Sequence, residues 1–167
     1  MSDVVIRRAA QSDLTALLEI YNHYVATSHA TFDVEPRTPA QRQEWLDQFK
    51  SRGRHQCFVA ARDNAAIGWA CSVRFKDRAA YDTSVETSVY LAPGEQGCGL
   101  GRRLYDALFD ELALEDVHRA FAGIAQPNEA SVAVHRALGF EHVGTYPEVG
   151  RKFGKYWDVA WYGRAVG

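Results

Sequence analysis

Apolar residues along this chain alternate between two spacings, and the switches mark out its elements. Short runs rich in apolar and β-branched residues predict strands: "DVVIRRA" near the start, then "CFVAAR", "AIGWACSVRF", "SVETSVYLA" and "RAFAGIA". Steps of three and four predict helices. Leu14, Leu17, Leu18, Tyr21 and Tyr24 share one face behind Ser12 or Asp13 as cap, and Leu100, Leu104, Leu108 and Leu112 recur every four residues. "TPAQ" at Thr38 to Gln41 is a capping box with proline at the first helical position, leading into Trp45, Leu46 and Phe49. "NEASVAVHRAL" reads as a helix stopped by Gly139. Two late strands are expected near His142 to Tyr146 and Tyr156 to Tyr162, and a polar turn around Asp63 and Asn64 joins two earlier strands into a hairpin. Strands and helices interleave around that hairpin, so the fold class is a mixed α/β (α+β) sheet, in one domain over residues 1–167.

Composition narrows the function more than the fold. With 47% hydrophobic and 24% charged residues in 167, the chain can bury a real core. A formal net charge of -2 carries no polyanion signature, so nucleic acid is not expected as a partner, and any bound anion must be held by a local site. Cys57, Cys71 and Cys98 are odd in number and scattered, which indicates neither a disulfide framework nor a zinc site, and no metal is expected. The N-terminal stretch has no apolar h-region and no run is long enough to span a bilayer; a cytoplasmic protein without a membrane partner is the expectation.

The segment "APGEQGCGLGRRLYDALFDEL" places Gly97, Gly99 and Gly101 just before an amphipathic helix. Glycine weakens a helix by roughly 1 kcal/mol relative to alanine, so three at a helix start mark either a flexible surface turn or a place where something approaches the backbone. Strand, glycine loop and helix in that order make an anion site, because unpaired N–H groups converge at the positive end of the helix dipole. The spacing matches neither a phosphate loop of the G-x-x-x-x-G-K-[ST] type nor a G-x-G-x-x-G dinucleotide fingerprint.

It does match Q-x-x-G-x-G, with Gln96, Gly99 and Gly101, and resembles the pyrophosphate loop of the GNAT superfamily of acyl-CoA-dependent N-acetyltransferases. "SVYLAP" resembles the strand that precedes such loops, and "NEASVAVHRALGF" resembles the superfamily's second signature, an Asn-x-x-Ser helix ending in Leu-Gly-Phe. The resemblance implies a central twisted sheet with splayed middle strands and acetyl-CoA as co-substrate. The backbone amides of Gly97, Cys98, Gly99, Leu100, Gly101 and Arg102 would grip the pyrophosphate, with Asn128 and Ser131 near the cofactor. Asn128 also suits a helix cap, and Cys98 reads as a bystander rather than a nucleophile.

Three further stretches, "EIYNHYVATSHATFDVEPRT", "RAAYDTSVETSVYL" and "EVGRKFGKYWDV", are similar to the phosphinothricin acetyltransferase group. That group acetylates the α-amino nitrogen of glutamate or methionine analogues bearing a tetrahedral side-chain centre: phosphinothricin, methionine sulfoximine, methionine sulfone and, in some relatives, arsinothricin. Gln96 stands where many members carry arginine. The resemblance implies resistance as a role and a homodimer as the assembly. An α-ammonium must lose a proton before it attacks a thioester, and Glu86 in "VETSVY" matches the glutamate that the family uses as general base. A surface-facing strand position is the plainer alternative for Glu86. A backbone N–H freed by the splay, such as that of Val89, would stabilise the thioester oxyanion, while Tyr90 and Leu91 would pair with the pantetheine arm. His135 either protonates the departing thiolate or faces the cofactor without catalysing. The acceptor's oxyanions are expected at Arg74, Lys76, Arg78, Ala80 and Tyr81, although such a charge run also suits a solvated loop. Phe32 would wall the pocket, Lys152 and Phe153 would close it or reach a partner subunit, and Trp157 and Trp161 read as core or interface. Two other functions stay open: acetylation of a different amine or a protein N-terminus, and an acyl-CoA-binding sensor without turnover.

Overall fold

The computed structural model describes residues 3–167. Seven strands form one sheet in the order β1-β2-β3-β4-β5-β7-β6, where β1 is Val5–Arg8, β2 Cys57–Arg62, β3 Ala65–Arg74, β4 Ser84–Leu91, β5 Arg119–Ala125, β6 Glu141–Lys152 and β7 Lys155–Ala165. All neighbours pair antiparallel except β4 and β5. The helices are α1 (Leu14–Thr27), α2 (Pro39–Asp47), α3 (Leu100–Leu112) and α4 (Glu129–Ala137). No helix among the described residues is long and apolar enough to cross a membrane.

Alternation along the strands splits the core in two. Val85, Ala120, Ala122 and Ile124 face Leu104, Tyr105, Leu108 and Leu112 of α3, whereas Cys57, Val59, Trp69 and Cys71 face Leu17 and Ile20 of α1 and Leu46 of α2. Each expected strand and helix is present. The Thr38 capping box forms with both reciprocal bonds: Gln41 N–H donates to Thr38 Oγ1 at 3.2 Å, and Thr38 N–H donates to Gln41 Oε1 at 2.9 Å. The hairpin turn at Asp63 and Asn64 has both residues at positive φ, which suits a two-residue connection.

Two details differ from the sequence reading. Asp13 does not cap α1; its carboxylate accepts from Ala10 N–H and pairs with both Arg7 nitrogens at 2.7 and 2.8 Å, because a short 3-10 turn at Gln11–Asp13 precedes the helix. The two late strands run on into a long β6–β7 hairpin whose turn is Phe153–Gly154, at φ 54 and 72.

The feature that positions the site is a gap between β4 and β5. These parallel strands pair only from Ser84↔Arg119 to Glu86↔Phe121, while β4 stays paired to β3 as far as Leu91↔Gly68. The splayed middle of the sheet is therefore present.

Candidate active site

The backbone of β4 determines what faces the gap. Ala92 N–H donates to Ile67 C=O at 2.8 Å and the β3–β4 register is unbroken, so Tyr90, Ser88 and Glu86 turn their main-chain groups to β3. Val89 and Leu91 turn theirs toward β5, past the point where pairing with β5 stops. Val89 thus offers its N–H to the gap as expected, but Tyr90 does not: its main-chain groups are committed to Trp69, and its ring stacks on the Trp69 ring at 5.0 Å. Leu91 C=O already accepts from Tyr24 Oη at 2.7 Å.

Beyond the strand, the loop presents its amides. Gly97 and Gly99 adopt φ of 79 and 78, a conformation costly to other residues, and a Cβ on either would meet no protein atom. The N–H groups of Gly97, Gly99, Leu100, Gly101 and Arg102 have no hydrogen-bond partner among the described residues; the first bond of α3 runs from Arg103 N–H to Gly99 C=O. Leu100 and Gly101 are buried and seat the helix start against the sheet. The loop is braced from within. Gln96 donates to Tyr24 Oη at 3.0 Å and accepts from Gly94 N–H, and Glu95 takes a two-point bond from Arg62 at 2.6 and 2.9 Å. Gln96 therefore holds the loop's shape by its side chain. Cys98 is exposed and its thiol donates to Glu95 C=O, and the Arg102 guanidinium leans toward Asp106.

On the α1–α2 face of β4 lies a cavity of about 580 Å³. Glu86, Ser88 and Tyr90 line it, together with Phe32, Arg42 and Trp161. The Glu86 side chain makes no hydrogen bond or ion pair among the described residues, and desolvation alone pushes its carboxyl above the ordinary value. A half-buried place in the cavity wall differs from the surface-facing position the sequence also allowed. Phe32 walls the cavity as expected, and its ring occupies the space a Gly150 side chain would need: a Cβ there would come within 2.2 Å of the ring.

Several expected site residues lie elsewhere. Arg74, Lys76, Arg78, Ala80 and Tyr81 do not line the cavity. Val73 lines it, and Arg74, one residue on, points to the opposite face, reaching Asp82 at 3.2 Å. The rest belong to the exposed β3–β4 connection, where Lys76 lies over the rings of Phe75 and Tyr81. Lys152 is buried and does not close the cavity; its Nζ donates to Ser28 and Thr31 C=O at 2.7 and 2.8 Å, tying the hairpin to the loop that carries Phe32. Phe153 stands exposed at the hairpin tip. Trp157 stacks on His29 at 4.1 Å, while Trp161 reaches the cavity.

His135, for which the sequence left a catalytic and a non-catalytic reading open, sits in the core. It is 2% exposed, and its Nδ1 lies 2.7 Å from Ser131 C=O, a pure acceptor, so Nδ1 carries the proton. Nε2 then accepts from Tyr105 Oη at 3.0 Å, and burial lowers the ring's pKa. Both nitrogens are thus engaged inside the core. Asn128 caps α4, accepting from Ser131 N–H at 3.1 Å. No cluster of metal-ligating side chains occurs among the described residues.

Residues 6–161 match the family described as an acetyltransferase (GNAT) domain. The chain belongs to the GNAT acetyltransferase family. As a GNAT acetyltransferase it uses acetyl-CoA. A Streptomyces coelicolor protein named phosphinothricin N-acetyltransferase is 53% identical over 167 residues, covering 99% of this chain and 98% of its own. A Pseudomonas aeruginosa protein named L-methionine sulfoximine/L-methionine sulfone acetyltransferase is 34% identical over 92% of this chain and 90% of its own. Among solved structures, a phosphinothricin acetyltransferase from Sinorhizobium meliloti in complex with acetyl-CoA superposes with a TM-score of 0.93 at 32% identity, covering 100% of this chain and 90% of that one. The residues that the sequence did not single out for this acetyltransferase are Arg42 and Trp161 in the cavity and Tyr24 at the strand end. Arg42 and Trp45 sit three apart on α2, a spacing that puts a cation over an aromatic face.

Proposed function

We propose that this acetyltransferase moves the acetyl group of acetyl-CoA to the α-amino nitrogen of a glutamate or methionine analogue with a tetrahedral side-chain group, in the class of phosphinothricin, methionine sulfone, methionine sulfoximine and arsinothricin. The observation that carries the reading is Glu86: a half-buried carboxylate without a side-chain partner among the described residues, beside a cavity of amino-acid size and next to the open edge of β4. The α-ammonium gives a proton to Glu86, directly or through water. Its nitrogen then attacks the thioester carbonyl while Val89 N–H meets the oxygen that gains charge. The C–S bond breaks as the attacking nitrogen gives its second proton to water, and coenzyme A leaves as a thiolate that takes a proton from the solvent. His135 stays outside this path.

The diphosphate of the donor is assigned to the amides of Gly97 to Arg102, the pantetheine arm to the main chain of Val89 and Leu91. The protein acts as a homodimer through the β6–β7 hairpin, where Val143, Tyr146, Val149, Phe153 and Tyr156 are all more than half exposed on a sheet edge. Acetylation of the amine would remove the charge by which such a compound resembles an amino acid, which fits a resistance role. A panel of free amino acids, the four analogues and short peptides, assayed by release of free thiol, tests the proposal. Turnover confined to the analogues supports it; turnover of peptides, or none of the analogues, overturns it.

A further inference from the structure

Three buried side-chain nitrogens have no hydrogen-bond partner among the described residues: Arg42 Nε, Arg42 Nη2 and Trp161 Nε1. All are donors, and both residues line the Glu86 cavity. Arg42 is only 4% exposed, and its guanidinium lies 3.4 Å from the centre of the Trp45 ring, 4.6 Å from Trp69 and 5.0 Å from Tyr21. The rings hold the cation by its face but accept nothing in the plane of its N–H groups. Burial lowers its pKa to about 10, the mark of a charge without a counter-ion. The other cations nearby are satisfied: Arg37 bonds both oxygens of Asp33 at 2.8 and 2.6 Å, and Lys152 bonds two carbonyls.

Position along the sheet says which anion Arg42 is waiting for. Glu86 stands opposite Val73, whereas Arg42 lies over Trp69, four residues back on the same face of β3, a rise of roughly 13 Å. The amine and carboxylate of an α-amino acid hang from one carbon, so an amine at Glu86 keeps its carboxylate at that end. Trp161 is at that end too, opposite Gly123 of β5 and edge-on to Phe75 at 6.0 Å. What extends toward Arg42 is the end of the side chain.

We propose that Arg42 binds the anionic tetrahedral head at the far end of the acceptor's side chain, with Trp161 Nε1 turned to the α-carboxylate. This rests on the acceptor class proposed above. Guanidinium suits such a head because its planar fork meets two oxygens at once.

Two substrates separate the ends of the cavity: phosphinothricin, whose phosphinate is anionic, and methionine sulfone, whose head is uncharged. In Arg42→Met the KM for phosphinothricin should rise about 30-fold or more, that for methionine sulfone less than about 5-fold, and that for acetyl-CoA not at all. Arg42→Lys should fall between, since it restores the charge without the fork. Equal losses for both substrates would assign Arg42 to the α-carboxylate, and no loss for either would leave it a packing residue; each result overturns the proposal. Should both variants fail to fold, the wild-type protein decides: phosphinothricin should raise Tm more than methionine sulfone at equal concentration, and equal protection contradicts the assignment. A wild type that acetylates both compounds while Arg42→Met is unaffected refutes Arg42 alone. A wild type that neither acetylates nor is protected by either compound refutes the acceptor class as well.

Discussion

The two flanks of β4 are built from different materials. On the gap side the candidate site is main chain: the open edge at Val89 and Leu91, then the free amides of Gly97 to Arg102. On the α1–α2 side it is side chains collected from seven segments, with Phe32 from one loop, Arg42 from α2, Glu86 from β4 and Trp161 from β7. A main-chain site depends on local conformation, and so it tolerates any residue that permits the conformation. A side-chain site depends on distant elements meeting, and its residues are replaceable one at a time. The first suits a donor shared by a whole family, the second an acceptor that varies within it.

Removing the base should have the largest effect on this contrast. Glu86→Gln is expected to lower kcat at pH 7 by about 100-fold or more while leaving acetyl-CoA affinity unchanged, as read by steady-state kinetics and calorimetry. The raised carboxyl pKa sets two signs. In the rate, kcat/KM should fall on the acid side with an apparent pKa above the ordinary glutamate range, and Glu86→Gln should lose that limb. In stability, the folded chain holds the Glu86 proton more tightly than the unfolded chain, so the group favours folding below its unfolded pKa and loses that contribution as pH rises through the folded value. Glu86→Gln should accordingly raise Tm at pH 7 and not at pH 4; equal shifts at both pH values would contradict a partly desolvated carboxylate without a partner.

Next in size is the loop. Gly99→Ala forces a Cβ onto a φ of 78, costing about 1–2 kcal/mol of stability, into space that no protein atom occupies. Its KM for acetyl-CoA should rise about 10-fold with the acceptor KM unmoved, because a methyl group there stands where a diphosphate approaches the amides. Gly150→Ala should do the reverse. Its Cβ collides with the Phe32 ring, an overpacking of roughly 1–3 kcal/mol, and the displaced ring should raise the acceptor KM while acetyl-CoA is bound as before. A pair of variants that shifted both KM values together would erase the division between the flanks. The smallest kinetic effect belongs to His135→Leu. It takes away the His135 ring that the Tyr105 hydroxyl bonds, costing about 1–3 kcal/mol in denaturant unfolding, with kcat within about threefold of wild type.

How much of this could be read from the sequence follows the same division. The loop, α3 and the Asn128 cap were legible because their signals are local: glycine spacing, leucines every four residues, an asparagine three before a serine. Glu86 was legible as an acid among valines and threonines. The acceptor cavity was not. Arg74 belonged to the wrong face by the two-residue alternation that Val73 and Glu86 obey, and Lys152 reaches its carbonyls across more than 120 positions. Arg42 sat in a polar stretch of α2, and its meaning emerges only when Trp45, Trp69 and Tyr21 close around it. The hairpin turn hid because a phenylalanine at φ 54 replaces the usual Asn-Gly signal.

A crystal structure with acetyl-CoA bound bears most directly on all of this. The diphosphate should lie within hydrogen-bond distance of the amides between Gly97 and Arg102, with the pantetheine along Val89 and Leu91 and the thioester beside Glu86. A diphosphate bound away from those amides, or a thioester out of reach of the Glu86 carboxylate, would contradict the account.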